Sequence, residues 1–514
     1  MTRLLPADHA SRRRLAFVVV LFAASRVVYF AAGLRFDTAG LDYSSQLADP
    51  EWLREDPLGT VWHMHSQPPL FNLVVGSVLR WSPLPDDVSL QIVYLVSGAM
   101  LAVGSFCLAR EFGLSPAAST GVSALVSCNP TSALYETWVA YEQPVAVMLV
   151  WTALFGAKWL RSGKTSSLFG LSLTGAAATL TRSMMHPVWL VAVLVLAVSI
   201  RRPRTPRSWA AAVAPLLVVA VFLVKNVVLF SVPSLSSWFG FNLYKVAVAP
   251  LREQARQQLQ AAGVVEDRPA PLECTLEHPN VPVLSSAYKT GWRASEEIRN
   301  WNHECLLPWF EALERESVEV IRRKPFEFVR AVVGSFEIWA GPATYYPGVA
   351  RNRSTIDRLE TLWTRVAMVG LPWKPPLEVP GAWGVAVSAP RWGLYLSLTI
   401  VCATAVVVGA GAGALVRLLR GCAGSRSRSL LVGAFTVAYV TLAANLFEHG
   451  ENNRIRYVAE PLTLTIAASI CLLLVAFRRP EWGLAERNPD AQPTGEAVDQ
   501  PPEPQRRRRS GIGA

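Results

Sequence analysis

Long apolar stretches recur along the chain and dominate its pattern of hydrophobic and polar positions. A helix that crosses a bilayer needs about 20 mainly apolar residues, with shorter spans of about 17 tolerated. Ten stretches approach this length: residues 15–34, 88–109, 114–133, 143–160, 166–182, 187–201, 209–231, 391–416, 429–447 and 458–477. The pattern predicts an all-α polytopic membrane protein with about ten transmembrane helices.

Basic side chains predict the orientation of these spans. If the N-terminus is cytoplasmic and the spans alternate, arginines and lysines lie at every inner connection, as the positive-inside rule requires. They are Arg110, Lys158, Arg161, Lys164, Arg201, Arg202, Arg204, Arg207, Arg417, Arg420, Arg426, Arg428, Arg478 and Arg479. We therefore expect a multi-pass protein of the plasma (inner) membrane with both termini in the cytoplasm.

Composition supports a membrane protein and argues against nucleic-acid binding. Charged residues make up 17% of the chain and hydrophobic residues 51%, whereas a soluble domain averages about 25% charged residues. The net charge is +11, but the arginines cluster beside apolar runs, where they suit anionic lipid headgroups. The first apolar stretch is too long for a signal-peptide core, so we expect an uncleaved span.

The polar segments predict four regions. They are an N-terminal transmembrane catalytic module over 1–231 with its first outer loop at 35–87, an extracytoplasmic helical segment over 232–390, C-terminal transmembrane helices over 391–477, and a disordered cytoplasmic tail over 478–514. Residues 68–81 are too few to span and suit an interfacial helix. The stretch from Pro325 to Trp339 carries charges at helical spacing and predicts an amphipathic surface helix.

Two aspartates of the first outer loop, Asp37 and Asp42, are candidates for acid–base chemistry. A carboxylate just outside a span could act as a general base if it is partly desolvated and contacts an acceptor proton. The alternative is a solvated helix start with aspartate as its cap, which spacing alone favours. His65, further along this loop, could hydrogen-bond a substrate or have a purely structural role.

A series of short motifs follows one order along the chain, mostly at the predicted outer face. They are the acidic loop with Asp37 and Asp42, His65-Ser66-Gln67-Pro68-Pro69-Leu70, Asn129-Pro130, Tyr135-Glu136, Tyr141-Glu142-Gln143-Pro144, the small-residue run 175–182 ending in Leu180-Thr181-Arg182, Lys225-Asn226, Gly240-Phe241-Asn242-Leu243, and Arg454-Ile455-Arg456-Tyr457 before Pro461. Together they resemble the GT-C glycosyltransferase superfamily, which includes protein O-mannosyltransferases, aminoarabinose-lipid A transferases and many bacterial relatives. The resemblance extends over about residues 15–475.

This resemblance implies a GT-C-like fold and an inverting hexosyl- or pentosyltransferase. Its donor would be a sugar on a polyprenyl-phosphate carrier, and its acceptor a glycolipid, polysaccharide or protein of the bacterial cell envelope. The resemblance also implies that a first-loop aspartate is the base. Asp42 fits best, because Asp42-Tyr43 followed by Leu47 is similar to the family's acidic–aromatic helix, and Asp37 is the alternative. The chain lacks the adjacent pair of acids that some members have.

Fixed cations would stabilise the charge that grows on a leaving lipid phosphate. The candidates near the outer face are Arg182, Lys225, Arg454 and Arg456. Interfacial anchoring or snorkelling is the alternative for each. Anchoring arginines favour the inner side, however, which supports phosphate contact by the last two.

Two glutamates of the short outer turn at 134–142 complete the candidate set. Glu136 and Glu142 could orient sugar hydroxyls, or could bind Mg²⁺ or Mn²⁺ together with the first-loop aspartate. The alternative is a solvated loop. No other metal site or cofactor is predicted.

Two further functions and one disulfide remain open at this stage. A transporter or flippase would need broken helices at the bilayer midplane and repeat symmetry, and neither is evident. A non-catalytic binder of lipid-linked sugars is the other alternative. Cys274 and Cys305 share the large outer segment, and would form a disulfide if that face is oxidising.

Overall fold

Helices account for nearly all of the regular structure in the computed structural model, which describes residues 8–266, 300–373 and 394–477. The helices are α1 (His9–Ala31), α2 (Gly40–Tyr43), α3 (Pro50–Glu55), α4 (Pro57–His63), α5 (Pro69–Trp81), α6 (Asp86–Glu111), α7 (Pro116–Ser127), α8 (Pro130–Tyr135), α9 (Glu142–Ser162), α10 (Thr165–Thr181), α11 (Pro187–Ile200), α12 (Pro206–Phe230), α13 (Phe239–Ala247), α14 (Glu253–Ala261), α15 (Leu306–Arg323), α16 (Pro325–Ala340), α17 (Pro347–Thr355), α18 (Asp357–Leu362), α19 (Leu398–Leu419), α20 (Ser425–Leu446), α21 (Asn452–Tyr457) and α22 (Glu460–Phe477). Of the described residues, those up to 470 form one compact unit, and residues 471–477 belong to a second.

The fold class predicted from the apolar pattern is confirmed. Each of the ten predicted stretches contains a helix, and six helices are long and apolar enough to cross a membrane: α1, α6, α9, α12, α19 and α20. The remaining four, α7, α10, α11 and α22, are shorter. The chain is thus an all-α membrane protein, and the division into four regions remains a prediction.

Two of the predicted spans are not continuous helices, and each difference has a local cause. The stretch 114–133 is interrupted because Asn129 caps α8, its side chain accepting a hydrogen bond from the Ser132 N–H at 2.8 Å. The stretch 391–416 does not start as a helix. Residues Leu394–Ser397 pair antiparallel with Gly370–Trp373, and α19 begins after Ser397, whose hydroxyl caps it.

Helix α9 lies at the centre of the bundle. It packs against α6, α10 and α20, and 78% of its most apolar stretch is buried. By contrast, α1 and α12 bury only 28% of theirs. Apolar side chains left exposed on those two helices suit a lipid environment.

Four short helices, α2 to α5, lie in the predicted first outer loop and lead the chain from α1 to α6. The predicted interfacial helix at 68–81 is present as α5. Before α2 the backbone pairs with a distant segment, because the Asp37 N–H donates to the Thr137 carbonyl at 2.8 Å and Asp37 bridges Trp138. This pairing connects the start of the loop to the turn before α9.

The segment after α12 contributes helices α13 to α18. The predicted amphipathic helix is present as α16, with Phe326, Val329 and Val333 exposed along it. Its Glu327 is buried and pairs with Arg330 at 2.9 Å. Cys305, just before α15, is disulfide-bonded; Cys274, its predicted partner, lies outside the described residues.

Gly240 allows α13 and α15 to approach closely, and we expect Gly240→Ala to destabilise the fold. A Cβ at this position would lie 2.0 Å from the Phe310 carbonyl oxygen, a backbone atom that cannot rotate away. Overpacking of this kind costs about 1–3 kcal/mol, more than the helix propensity gained from alanine. The measurement is thermal unfolding of the purified protein in detergent.

Gly413→Ala is the matched control for this prediction. It also lies in a helix, α19, but no atom comes within 4 Å of its added Cβ. Its melting temperature should stay equal or rise. Equal effects of the two substitutions would contradict the close approach at Gly240.

Candidate active site

A cavity of about 1340 Å³ is lined by many polar and charged residues. Its wall combines the first outer loop, the end of α10, the chain from Ser231 to α13, the start of α15, and the segment between α20 and α21. The ionisable residues in this wall are Asp37, Arg182, His186, Lys245, Glu311, Glu314, Arg351, Glu448, His449, Glu451 and Arg454. Residues far apart in sequence therefore share one chemical environment.

Asp37 is the first-loop carboxylate in the cavity wall. Its position is fixed by the backbone pairing with Thr137 and Trp138, and its Oδ1 accepts one hydrogen bond, from the Ala39 N–H at 3.0 Å. Among the described residues it makes no ion pair. Asp42, favoured from the sequence, is exposed and lies outside the cavity wall. The geometry therefore favours the alternative aspartate.

Two arginines of the cavity wall share one carboxylate. Arg182 Nη1 lies 2.9 Å from Glu142 Oε1, and Arg454 Nε lies 3.5 Å from the same oxygen. Glu142 is fully buried behind them, and each arginine is only 3% exposed. Arg454 also contacts Glu451 at 2.5 Å through Nη2. The buried carboxylate thus holds both guanidinium groups close together.

Aromatic rings support the same two guanidinium groups. Arg182 lies 4.6 Å from the centroid of the Tyr141 ring, and Arg454 lies 4.7 Å from that of Tyr346. Such cation–π contacts stabilise a charge that has lost much of its water. Both tyrosines also line the cavity.

Lys245 adds a third cation to the cavity wall. Its Nζ lies 2.5 Å from Glu448 Oε1, on the loop that precedes Arg454. Burial disfavours the ammonium form, but Glu448 and Glu451 outweigh this and raise the pKa of Lys245. The lysine therefore remains a fixed positive charge in this environment.

The charge of Arg454 is equally secure. Burial opposes it, but Glu451, Tyr346 and Glu142 together raise its pKa well above the ordinary arginine value. The pKa of Glu451 falls despite its burial, because Arg454 and Lys245 are close. The wall thus carries permanent cations and an anion exposed to the cavity.

Arg456 has a different environment from Arg454. It donates from Nη1 to the carbonyls of Trp339 at 2.8 Å and Gly341 at 2.6 Å, and it pairs with Glu460 at 2.9 Å. It does not line the cavity. Its contacts join α16 to the start of α22, which is a structural role.

Lys225 and His65 are buried outside the cavity wall. Lys225 Nζ donates to the Met64 carbonyl at 2.5 Å and lies 5.4 Å from the Phe230 ring centroid. His65 Nδ1 lies 2.9 Å from Ser237 Oγ. Both predicted binding residues therefore hold the first loop against α12 and the chain that follows it.

Glu136 pairs with an arginine of the first membrane helix. Arg26 donates to it through Nε at 2.6 Å and also donates to the Ser127 carbonyl at 2.7 Å. Glu136 is 2% exposed and does not line the cavity. This buried pair joins α1 to the turn before α9, and leaves the glutamate little capacity for a sugar hydroxyl.

The carboxylates suggested as metal ligands do not meet as a ligand set. Glu136 is engaged by Arg26 and Glu142 by Arg182, whereas Asp37 lies in the cavity wall. Across the three described ranges, no group of three or more histidine, cysteine, aspartate or glutamate side chains is placed to hold a metal ion. These residues do not form a site for a divalent cation, and the reaction proposed for this cavity does not use one.

Sequence reasoning missed Lys245, Glu448 and Glu451. A signal was present for each: the two glutamates occur with His449 in the short outer segment just before Arg454, and Lys245 follows the Gly-Phe-Asn-Leu motif by two positions. Charged residues this close to an apolar span are expensive unless they are paired or functional. In the structure, Glu448 pairs with Lys245 and Glu451 with Arg454.

His65, which is buried, and His449, which is partly buried, should make the fold sensitive to mild acid. Burial, with Lys245 and Arg330 nearby, lowers the pKa of His449 to about 4; burial, with Lys225 nearby, lowers that of His65 to about 3. An unfolded histidine binds a proton near pH 6.5. Their contribution to stability is therefore complete above about pH 6.5 and is progressively lost as the pH falls toward about 4.

The His449→Gln variant measures this contribution. We expect its melting temperature in detergent to fall less than that of the wild type between about pH 7 and pH 5, because one proton-linked group is gone. His9→Gln, an exposed position at the start of α1, is the control and should retain the wild-type pH dependence. An unchanged pH dependence in His449→Gln would contradict the neutral state of this histidine.

Comparison with known proteins gives matches among solved structures alone. No protein-family model matches the chain, and no curated protein matches it. The crystal structure of the Archaeoglobus fulgidus oligosaccharyltransferase, tethered to an acceptor peptide containing the NVT sequon, matches 91% of this chain with 11% identity and a TM-score of 0.38. The match covers 50% of that protein, so the chain spans half of its length.

The crystal structures of ArnT from Cupriavidus metallidurans also match. The complex with undecaprenyl phosphate covers 88% of this chain and 78% of ArnT, with 14% identity and a TM-score of 0.31. The apo state covers 88% and 77%, with 14% identity and a TM-score of 0.30.

Proposed function

We propose that this protein is a glycosyltransferase that moves a sugar from a polyprenyl-phosphate carrier to a cell-envelope acceptor. The supporting observation is the content of one cavity: Asp37, outside any described ion pair, shares the wall with Arg182, Lys245 and Arg454. A base and a cluster of fixed cations are the two elements that transfer from a glycosyl phosphate requires.

Asp37 acts as the general base in this proposal. The acceptor oxygen attacks the anomeric carbon while its proton passes to the Asp37 carboxylate. The bond from the anomeric carbon to the phosphate oxygen breaks, and its electron pair leaves with the phosphate. Attack from the face opposite the phosphate inverts the configuration. The products are the glycosylated acceptor, the polyprenyl phosphate and a protonated Asp37, which then releases its proton to water.

The three cations receive the leaving phosphate. Arg182 and Arg454 can each offer further N–H groups beyond those used on Glu142, and guanidinium pairs well with phosphate oxygens. Lys245 adds a point charge. Since all three charges are fixed before the reaction, they stabilise the transition state without reorganisation at the moment of bond cleavage.

The location of the site relative to the membrane follows from the charge pattern. With the termini in the cytoplasm, the segments that build the cavity wall all fall at the outer face. The donor would then be drawn from the outer leaflet, and its acceptor would be a glycolipid, polysaccharide or protein of the envelope. A chain rich in arginine and alanine suits a GC-rich bacterium, for which undecaprenyl or decaprenyl carriers are expected.

Mass analysis of envelope glycans, with and without this protein, tests the proposal. Cells that lack the protein should lose one glycan modification, and the wild-type gene should restore it. Purified protein should also bind undecaprenyl phosphate. Movement of a lipid-linked sugar across proteoliposomes without covalent change would favour a transporter. Binding of the lipid-linked sugar with unchanged envelope glycans would favour a non-catalytic binder.

A further inference from the structure

A wall of the cavity beyond the cations is built from three loop segments that precede α5, α13 and α15. Hydrogen bonds join them: the Ser237 N–H donates to the His65 carbonyl at 2.9 Å, and the Ser66 hydroxyl donates to Asn302 Oδ1 at 2.6 Å. These contacts link positions up to 236 residues apart. These hydrogen bonds therefore hold the three segments in place without a ligand.

Two buried polar atoms in this wall have no hydrogen-bond partner among the described residues. They are Gln67 Oε1 and Trp238 Nε1. Both residues line the cavity, and they are 4% and 6% exposed. One atom is an acceptor and the other a donor. A buried polar atom left unsatisfied costs about 1–3 kcal/mol, so a ligand with both a donor and an acceptor would complete this wall.

Aromatic rings line the same cavity as the two unsatisfied atoms. Trp238, Phe241 and Trp301 all line the cavity and pack edge-on or tilted, with ring centroids 5.4–5.8 Å apart. The negative face of an aromatic ring attracts the C–H groups on one side of a sugar ring. From α15, the carboxylates of Glu311 and Glu314 contribute further acceptors to the cavity wall.

Two of the aromatic residues and one of the cations lie along one helix. Trp238 directly precedes α13, and Phe241 and Lys245 follow on the helix at intervals that keep them on a similar face. Seven residues of helix rise about 10 Å, which is the scale of a sugar ring joined to a phosphate. A ring held at Trp238 would therefore be compatible with a phosphate at Lys245.

We propose that this wall is a subsite for an uncharged pyranose ring, one hydroxyl of which donates to Gln67 Oε1 and accepts from Trp238 Nε1. The ring stacks on the aromatic cluster. This assignment rests on the proposed function, which supplies two possible sources of the ring. The ring is either the sugar of the donor or a sugar of the acceptor. A purely aliphatic ligand would leave the two buried atoms unmatched.

Saturation-transfer NMR on the full chain in detergent tests this subsite. The probes are the methyl pyranosides of mannose, glucose and galactose. At least one should bind saturably, and Gln67→Leu and Trp238→Phe should each weaken that binding about tenfold, the effect of one lost buried hydrogen bond. Trp309→Phe is the matched control, since Trp309 belongs to the same aromatic cluster but does not line the cavity. Absence of saturable binding, or equal binding by all variants, overturns the subsite.

A parallel titration with undecaprenyl phosphate, bare and glycosylated, identifies the source of the ring. The sugar should strengthen binding to the wild type. If Gln67→Leu abolishes this gain, the subsite holds the donor's sugar; if the gain persists while pyranoside binding weakens, it holds the acceptor's. Binding of pyranosides without binding of undecaprenyl phosphate would refute the transferase and leave the subsite intact. The two proposals can therefore fail separately.

Discussion

Asp37→Asn should reduce sugar transfer by about 10²–10⁴-fold, the usual contribution of a general base. The substitution keeps the size of the side chain, and the amide oxygen can still accept from the Ala39 N–H. The backbone pairing of residue 37 with Thr137 does not involve the side chain. The fold and the affinity for undecaprenyl phosphate should therefore be unchanged. The readout is the amount of glycan product restored in cells that lack the protein.

Asp42→Asn is the matched variant for this prediction. It makes the same chemical change five positions away in the same loop, at an exposed residue outside the cavity wall. It should leave transfer within about threefold of the wild type, as expected for surface substitutions. Loss of transfer in Asp42→Asn with full transfer in Asp37→Asn would return the role of base to Asp42.

Arg454→Gln should lower transfer by about 10²–10³-fold, as loss of a preorganised charge in an active site does. It should also weaken binding of undecaprenyl phosphate, because the arginine is positioned to contact the phosphate in the ground state. Removing this cation takes away the ion-pair partner of Glu451 and one of the two arginines beside Glu142, so some loss of stability is expected. Binding is measured on the folded fraction, after the melting temperature has been determined.

Two further variants separate the chemical role of Arg454 from its structural role. Arg454→Lys retains the charge beside Glu142 but loses the planar fork, so transfer should fall while the fold is kept. Arg456→Gln removes a neighbouring arginine that contacts Glu460 and two carbonyls, and should lower stability without weakening phosphate binding. A larger loss of binding in Arg456→Gln than in Arg454→Gln would overturn the assignment.

The membrane helices could be predicted from the sequence because their signal is local. An apolar run long enough to span a bilayer can be recognised without reference to the rest of the chain. The placement of arginines then predicts its orientation. The two predicted spans that are not continuous helices differ because of contacts the pattern does not show directly. Asn129 caps a new helix within an apolar stretch, and residues 394–397 pair with a strand 24 positions earlier in the chain.

The candidate site could be predicted only in part, because contacts between residues far apart in the chain decide which side chains line the cavity. Arg182 and Arg454 stood out as charges at the outer ends of helices. Arg454 lines the cavity and Arg456 does not, because residues two apart on a helix face different ways, and the sequence did not show this. Asp37 reaches the cavity through backbone pairing about 100 positions along the chain, whereas Asp42 is the better match to the family motif.

Experimental determination of the structure with undecaprenyl phosphate bound tests the central claim most directly. The proposal predicts phosphate oxygens about 3 Å from Arg454 or Arg182 nitrogens, in the cavity whose wall includes Asp37. Phosphate bound outside that cavity, for instance at Arg456 or at the arginines of the cytoplasmic face, would contradict it.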